Sequence, residues 1–463
     1  MGIKSKRKKK YHFTNDLYVL LVVLHLCIGA GIYYIPLFSK LYFTVVSLFF
    51  IGKVLMSPTS SKTMWVLFGC AYMAAAESFF RMTGGGLFYE FSKYYIILLV
   101  LIGMFFTGVS GKSYPYFLYL ILLVPSVLVA STTLGYDLNF RKSIAFVLSG
   151  PVCLGASALY CYDKKVTQEQ LLQILACMSF PVLSMMVYLF LYNPSIKEVL
   201  QGTGSNFAAS GGYGPNQVST LLGLAMVALT VRFFLKSPSF FLKVFNLVLL
   251  ALVSFRALVT FSRGGVVAAV MMMVGFLVVL YTQSKFKRRQ QIIGSLILLF
   301  IGVSITWMIT ANQTDGMIEN RYTNKNAAGV EKKDLSTGRV GLFVREFQGF
   351  IDHPFLGVGA NGMKQVRLEE EGKIIASHNE VSRLFSEHGI LGIIILIILI
   401  VTPLAYRNQH KGNLLFYSFL IFWFATINHS AMRIAAPGFI YGLALLHVTY
   451  EKKRTIRRER LIQ

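Results

Sequence analysis

Fourteen apolar runs dominate this chain, each about as long as a helix needs to cross ~30 Å of hydrocarbon. They lie near 17–35, 38–56, 63–80, 94–110, 115–133, 143–161 and 170–192. The rest follow at 216–235, 240–258, 264–281, 290–311, 389–406, 414–430 and 434–450. Lipid offers no partner to backbone N–H and C=O groups, so such runs must satisfy their own hydrogen bonds as helices. The expected fold class is therefore all-α, a polytopic transmembrane helix bundle of about 14 helices. The count falls toward 12 where charges interrupt a run, as Lys40 and Lys53 do in the second. With 55% hydrophobic and only 14% charged residues, the chain is neither a water-soluble globule nor a disordered segment. Its five cysteines all lie in apolar stretches, where they read as small buried hydrophobes.

A net charge of +25 over 463 residues invites a nucleic-acid reading, which its distribution defeats. Lys4, Lys6, Arg7, Lys8, Lys9 and Lys10 open the chain. Lys285, Lys287, Arg288 and Arg289 fill one short gap between apolar runs, and Lys452, Lys453, Arg454, Arg457, Arg458 and Arg460 close the chain. Basic clusters at helix ends mark the cytoplasmic side of a membrane. With the N-terminus inside, every second gap is cytoplasmic, and these gaps hold Lys62, Lys112, Lys164, Lys165, Arg232, Lys236, the 285–289 cluster, Arg407 and Lys411. Arg141 and Lys142 alone fall clearly on the outer side. No nucleic-acid partner is expected; the partners are membrane lipids.

The organisation that follows is a basic cytoplasmic tail (1–16), a bundle of about eleven helices (17–311) and a large outer loop (312–388). Three further helices (389–450) and a second basic tail (451–463) complete it. The 77-residue loop carries ten Lys/Arg against eleven Asp/Glu, a balance suited to the outer face. Loops of that length are usually functional. Within it, Val340, Phe343, Phe347, Phe350 and Ile351 follow a helical period behind Ser336 or Thr337 as cap. Pro354 ends this helix, which would lie on the membrane surface or pack over the bundle. Arg339 falls in its first turn, where the helix dipole favours an anion rather than a cation. Its presence there fits either a bound anion or a solvated charge.

GVGANG at 357–362 matches a dinucleotide fingerprint by letter, but without the strand–turn–helix context the glycines read as turn residues. His378, in SHNE at 377–380, stands at the membrane boundary, where a neutral imidazole can act as a general base. His388 and His353 lie in the same loop. Taken singly, each of the three reads as a hydrogen-bonded structural histidine. Arginines at membrane depth are costly and are candidates for function. Arg256 and Arg263 flank one outward turn (SFRALVTFSRGG) and Arg433 lies at another (NHSAMRIAAPG); for Arg256 and Arg433, snorkelling to headgroups is the competing role. Gly264 and Gly265 beside Arg263 allow a neighbour to approach closely. Arg263, Arg339 and His378 thus share the outer face, where two guanidiniums can clamp a diphosphate and a histidine can take a proton from a hydroxyl. No His/Cys spacing or carboxylate cluster in the loop suggests a metal.

FSRGG at 261–265, STGR at 336–339, HPFLGVG at 353–359 and SHNE at 377–380 precede a glycine-containing apolar helix (HGILG, 388–392). In this order, with GPN at 214–216 upstream, the chain resembles the O-antigen ligase and polymerase family over roughly residues 200–400. The resemblance implies an integral-membrane glycosyltransferase of the bacterial inner membrane, with its large loop periplasmic and no cofactor. Its donor would be an undecaprenyl-diphosphate-linked glycan, and its acceptor a hydroxyl of lipid A–core in a ligase or of a second glycan in a polymerase. By motif, Arg263 and Arg339 would bind diphosphate and His378 would act as base. Arg256, Asn216, Asn379, Glu380, His429 and Arg433 are further substrate-binding candidates. A flippase or exporter of lipid-linked oligosaccharide is the alternative of another class. It would need polar groups along a path through the midplane, whereas the candidates gather at one face.

Overall fold

The computed structural model describes residues 14–134, 140–200, 202–332, 338–372 and 377–450. It is a helical bundle of the expected class. In chain order the helices are α1 (Asn15–Tyr34), α2 (Leu37–Met56), α3 (Thr59–Met82), α4 (Phe91–Thr107), α5 (Tyr114–Leu122), α6 (Val124–Thr133) and α7 (Phe140–Cys161). Next come α8 (Gln168–Tyr192), α9 (Ile196–Val199), α10 (Pro215–Leu235), α11 (Phe240–Leu258), α12 (Arg263–Thr282) and α13 (Phe286–Gln313). Four helices occupy the large loop: α14 (Met317–Tyr322), α15 (Arg339–Asp352), α16 (Gly362–Glu371) and α17 (Glu380–His388). The last three are α18 (Ile390–Gln409), α19 (Phe416–Ser430) and α20 (Ala436–Ala444). Among the described residues, eleven candidate spans, α5 and α6 together forming one, are long and apolar enough to cross a membrane.

Burial sorts these helices by position. α3, α8 and α10 are buried on nearly all sides, as core helices of a large bundle must be. α13 is buried at only four positions and turns Ile297, Phe300, Val303 and Met308 outward. So broad an exposed apolar surface is stable only against lipid. α10 packs against α8, α11 and α12, and α12 packs against α19, so one contiguous block carries both the GPN and the FSRGG segments.

The basic residues of alternate turns do local work as well. Lys62 Nζ donates to the carbonyls of Val54 and Leu55, each at 2.7 Å, at the end of α2. Lys164 Nζ donates to Thr107 and Gly108 carbonyls at 2.8 and 2.7 Å, at the end of α4. Arg289 Nε reaches the Tyr281 carbonyl near the end of α12 at 3.1 Å. Each cation satisfies last-turn carbonyls and complements the negative end of a helix dipole.

Four of the fourteen expected spans differ: the runs at 94–110 and 414–430 form α4 and α19, helices of 17 and 15 residues that fall outside the eleven candidate spans, and two others are built differently. The run at 115–133 breaks at Leu123 into α5 and α6, with Pro125 at the start of the second. The run at 434–450 is helical only over Ala436–Ala444, and His447–Thr449 then forms a strand, β2, pairing in parallel with β1 (Lys165–Thr167). Nine helical residues rise about 14 Å, too short to cross a bilayer. α20 is buried along its whole length, so protein rather than lipid surrounds it, and its apolar character reflects a core. The loop cap expected at Ser336 or Thr337, and residues 1–13 and 451–463 of the expected tails, lie outside the described residues.

Candidate active site

The turn before α12 is built by its own sequence. Phe261 adopts a positive φ of 56°, reversing the chain so that Ser262 sits at the N-cap and Arg263 opens the helix. Ser262 Oγ donates to Asn216 Oδ1 at 2.7 Å and receives Ser219 Oγ at 3.0 Å, which bolts the turn to the start of α10. A Cβ on Gly265 would lie 2.3–2.5 Å from Ser219 and Thr220 atoms, and one on Gly264 would lie 2.3 Å from the His429 ring. The glycine doublet therefore lets α10 and α19 close in beside Arg263, and Asn216 positions this turn.

Arg263 Nη1 donates to the Arg321 carbonyl at 3.2 Å, and Arg321 Nε donates to the Phe261 carbonyl at 2.9 Å. This reciprocal pair fastens α14 to the turn. Arg339, at the first position of α15 behind Gly338 (φ 80°), is solvent-exposed. Arg263 and Arg339 both act to lower the Arg321 pKa, second to burial, and Arg263 does the same to Arg339. Lys332 is lowered too, by burial and then by Arg321 and Arg263; its Nζ donates to Thr203 Oγ1 at 2.8 Å. Among the described residues no carboxylate forms an ion pair with Arg263, Arg321 or Arg339. Clustered cations that no acid offsets favour an anion.

His378 sits in the turn before α17, held on both sides. Ser377 Oγ donates to Glu346, whose carboxylate also pairs with Arg367 at 3.3 Å. The Ser377 carbonyl accepts Arg433 Nη2 at 2.8 Å. Asn379 caps α17, its Oδ1 accepting the Val381 and Ser382 amides at 2.8 and 3.3 Å. Glu380 is fully buried on Arg383 and the Met432 amide. Between these fixed neighbours the His378 Nδ1 is buried with no hydrogen-bond partner. Burial, then Arg433, Arg339 and His429, bring its pKa down to about 4, so the ring is neutral at neutral pH.

A second imidazole faces the same region. His429 Nδ1 lies 3.0 Å from the Ala425 carbonyl, which can only accept, so Nδ1 carries the hydrogen and Nε2 a lone pair. Thr220 Oγ1 is 3.4 Å from Nε2, but its own hydrogen goes to the Asn216 carbonyl at 2.7 Å.

The structure thus brings Arg263 and Arg339 together and sets Arg433, Arg339 and His429 within electrostatic reach of His378. Asn216, Asn379 and Glu380 serve as the frame. Arg256 is fully buried, with Nη1 and Nη2 on the Asn193 and Ala209 carbonyls at 3.5 and 3.2 Å; it clamps the 193–209 loop rather than facing the cluster. His388 is buried, and its pKa is pushed down to about 3 by burial and Arg383. Gly357 and Gly359 take positive φ of 69° and 85°, as turn glycines do. Arg321 was not among the sequence candidates. No cap, glycine pair or motif marks it, and its contact lies 60 residues away.

α15 turns Glu346, rather than its apolar residues, toward the protein. Glu346 and Gly349 are its buried residues, while Val340, Phe343, Val344, Phe347 and Ile351 are all exposed. Its apolar face points away from the protein.

No curated protein matches the chain. A family model described as O-antigen ligase matches residues 247–397, spanning the Arg263 turn, Arg321, Arg339 and His378. The stretch that holds Arg263, Arg321, Arg339 and the neutral His378 is thus similar to the O-antigen ligase family.

Proposed function

We propose that this protein transfers a glycan from an undecaprenyl-diphosphate carrier to a sugar hydroxyl of lipid A–core, at the periplasmic face of the inner membrane. The observation that carries this reading is the meeting of Arg263, Arg321 and Arg339, without paired acids, beside the unpartnered imidazole of His378. The guanidiniums hold the diphosphate and stabilise the negative charge it gains on departure. The acceptor oxygen attacks the anomeric carbon, the bond from that carbon to the diphosphate oxygen breaks, and the diphosphate leaves with the electron pair. His378 takes the hydroxyl proton. Three clustered cations supply the charge that a divalent ion gives other phosphate-handling sites, so the reaction is proposed to need no metal at this site.

The test is glycan transfer in a strain lacking the protein, comparing wild type with Arg263→Ala, Arg339→Ala and His378→Ala at equal membrane levels. Accumulating lipid-linked polymer in the variants supports ligation. Accumulating single repeat units would instead identify the repeat-unit polymerase of the same family. Full activity in all three would remove the catalytic assignment and favour a flippase.

A further inference from the structure

At the other end of α18, about 30 Å from its start for 20 residues, three side chains from separate segments converge. Asp163 follows α7, His410 follows α18 and His447 opens β2. Asp163 Oδ1 lies 3.0 Å from His447 Nδ1 and 3.9 Å from His410 Nε2. One ligand atom from each residue falls within 4.8 Å of the others. The two imidazoles lie side by side with their planes tilted, centroids 4.5 Å apart at 49°.

We propose that these residues form a binding site for a late first-row divalent cation of the zinc type. A tetrahedral ion with bonds of about 2.0–2.1 Å separates its ligand atoms by roughly 3.3 Å, and the two Asp163 distances bracket that value. Two imidazoles and one carboxylate suit zinc, and leave a fourth position for water.

The backbone holds the three groups in place. Asp163 adopts φ 59°, a conformation costly for a residue with a Cβ, while its amide donates to the Leu445 carbonyl at 3.0 Å. The His447 amide donates to the Lys164 carbonyl at 2.9 Å, and Lys165 pairs with His447 in the strand register. Arg407 Nη1 reaches the His410 and Asn413 carbonyls at 3.4 and 3.0 Å, fixing the turn that carries His410. Among the described residues no lysine or arginine pairs with Asp163, whose ion-pair partners are the two imidazoles. All three side chains are about a quarter to a third exposed (33%, 23% and 29%), enough for an ion to enter from water. A cation there ties the end of α7, the turn after α18 and the last strand into one clasp.

The test uses the full chain, purified in detergent on an affinity tag without histidines and stripped with a chelator. Cobalt(II) is the spectroscopic probe and zinc(II) its competitor. One equivalent of cobalt giving the visible bands of a four-coordinate site, displaced by zinc, is the expected result. Asp163→Asn, His410→Gln and His447→Gln should each weaken zinc at least tenfold, and glycan transfer by His410→Gln should persist. His410 follows the end of α18, outside the strand pairing that carries His447 and without the positive φ of Asp163, so its variant keeps the test meaningful if the others unfold. Substoichiometric uptake by wild type, or uptake unchanged in the triple variant, overturns the proposal.

Discussion

Arg263, Arg321 and Arg339 hold like charges together without an acid, an arrangement that costs free energy until an anion arrives. Replacing Arg263 or Arg339 by alanine should therefore lower glycan transfer by about 10²–10³-fold, the usual loss for one donor to developing negative charge. Lysine should restore little, because it offers a point charge in place of a planar fork. Arg321→Ala should fall in the same range, although no motif marks it. His378 adds a pH signature. Its pKa of about 4 lies below the ordinary 6.5, set by burial and then by Arg433, Arg339 and His429, so its neutral, proton-accepting form persists down to about pH 4. The acid limb of kcat/KM should accordingly fall near pH 4, and Arg433→Ala or Arg339→Ala should shift it upward. Once a diphosphate is bound, its negative charge favours the imidazolium, so the acid limb of kcat should lie above that of kcat/KM. The folding linkage has the same direction. A histidine depressed in the folded state withdraws stability as pH falls from 6.5 through 4, because the unfolded chain takes up the proton first.

Among the elements, α15 is turned so that its charged Glu346 is buried and its apolar residues are exposed, an arrangement that fits a helix lying in the outer membrane interface. Phe343→Ser with Phe347→Ser should remove about 1.5–3 kcal/mol of apolar burial per side chain, lowering transfer in membranes while leaving the melting temperature in detergent nearly unchanged. Gly264→Ala should behave differently. Its Cβ would stand 2.3 Å from the His429 ring, and overpacking of this kind costs about 1–3 kcal/mol, visible as lower melting temperature and lower yield. The elements also show how far the sequence was legible. Membrane runs and the period of α15 follow from hydropathy and spacing, and Arg263 stood out through its glycine neighbours. Arg321, Asp163, His410 and His447 did not, since their partners are 37 to 284 residues away and no local pattern records such meetings. Residues 434–450 read as a span because a protein-buried helix followed by an apolar strand has the same composition as a lipid-facing one. Arg256 and Glu380 were ambiguous for a related reason: a buried charge facing a ligand and one clamping a loop look alike in one dimension.

At the scale of the molecule, the account sets two ends of one bundle to different tasks. The end bearing α14–α17 gathers the arginines and imidazoles, and the other carries the basic turns, the short sheet and the Asp163 cluster. The orientation this implies places position 326 outside and position 287 inside. Single cysteines at those positions, in a chain whose five native cysteines are replaced, should react with a membrane-impermeant thiol reagent at 326 only in intact spheroplasts, and at both after lysis. The central claim is that the arginine cluster grips a lipid diphosphate, and the most direct test is binding of undecaprenyl diphosphate to the purified protein. Wild type should bind it at least tenfold more tightly than undecaprenyl monophosphate, and a variant carrying Arg263→Ala and Arg339→Ala should lose that preference. Equal affinity of wild type and variant for the diphosphate would contradict the account.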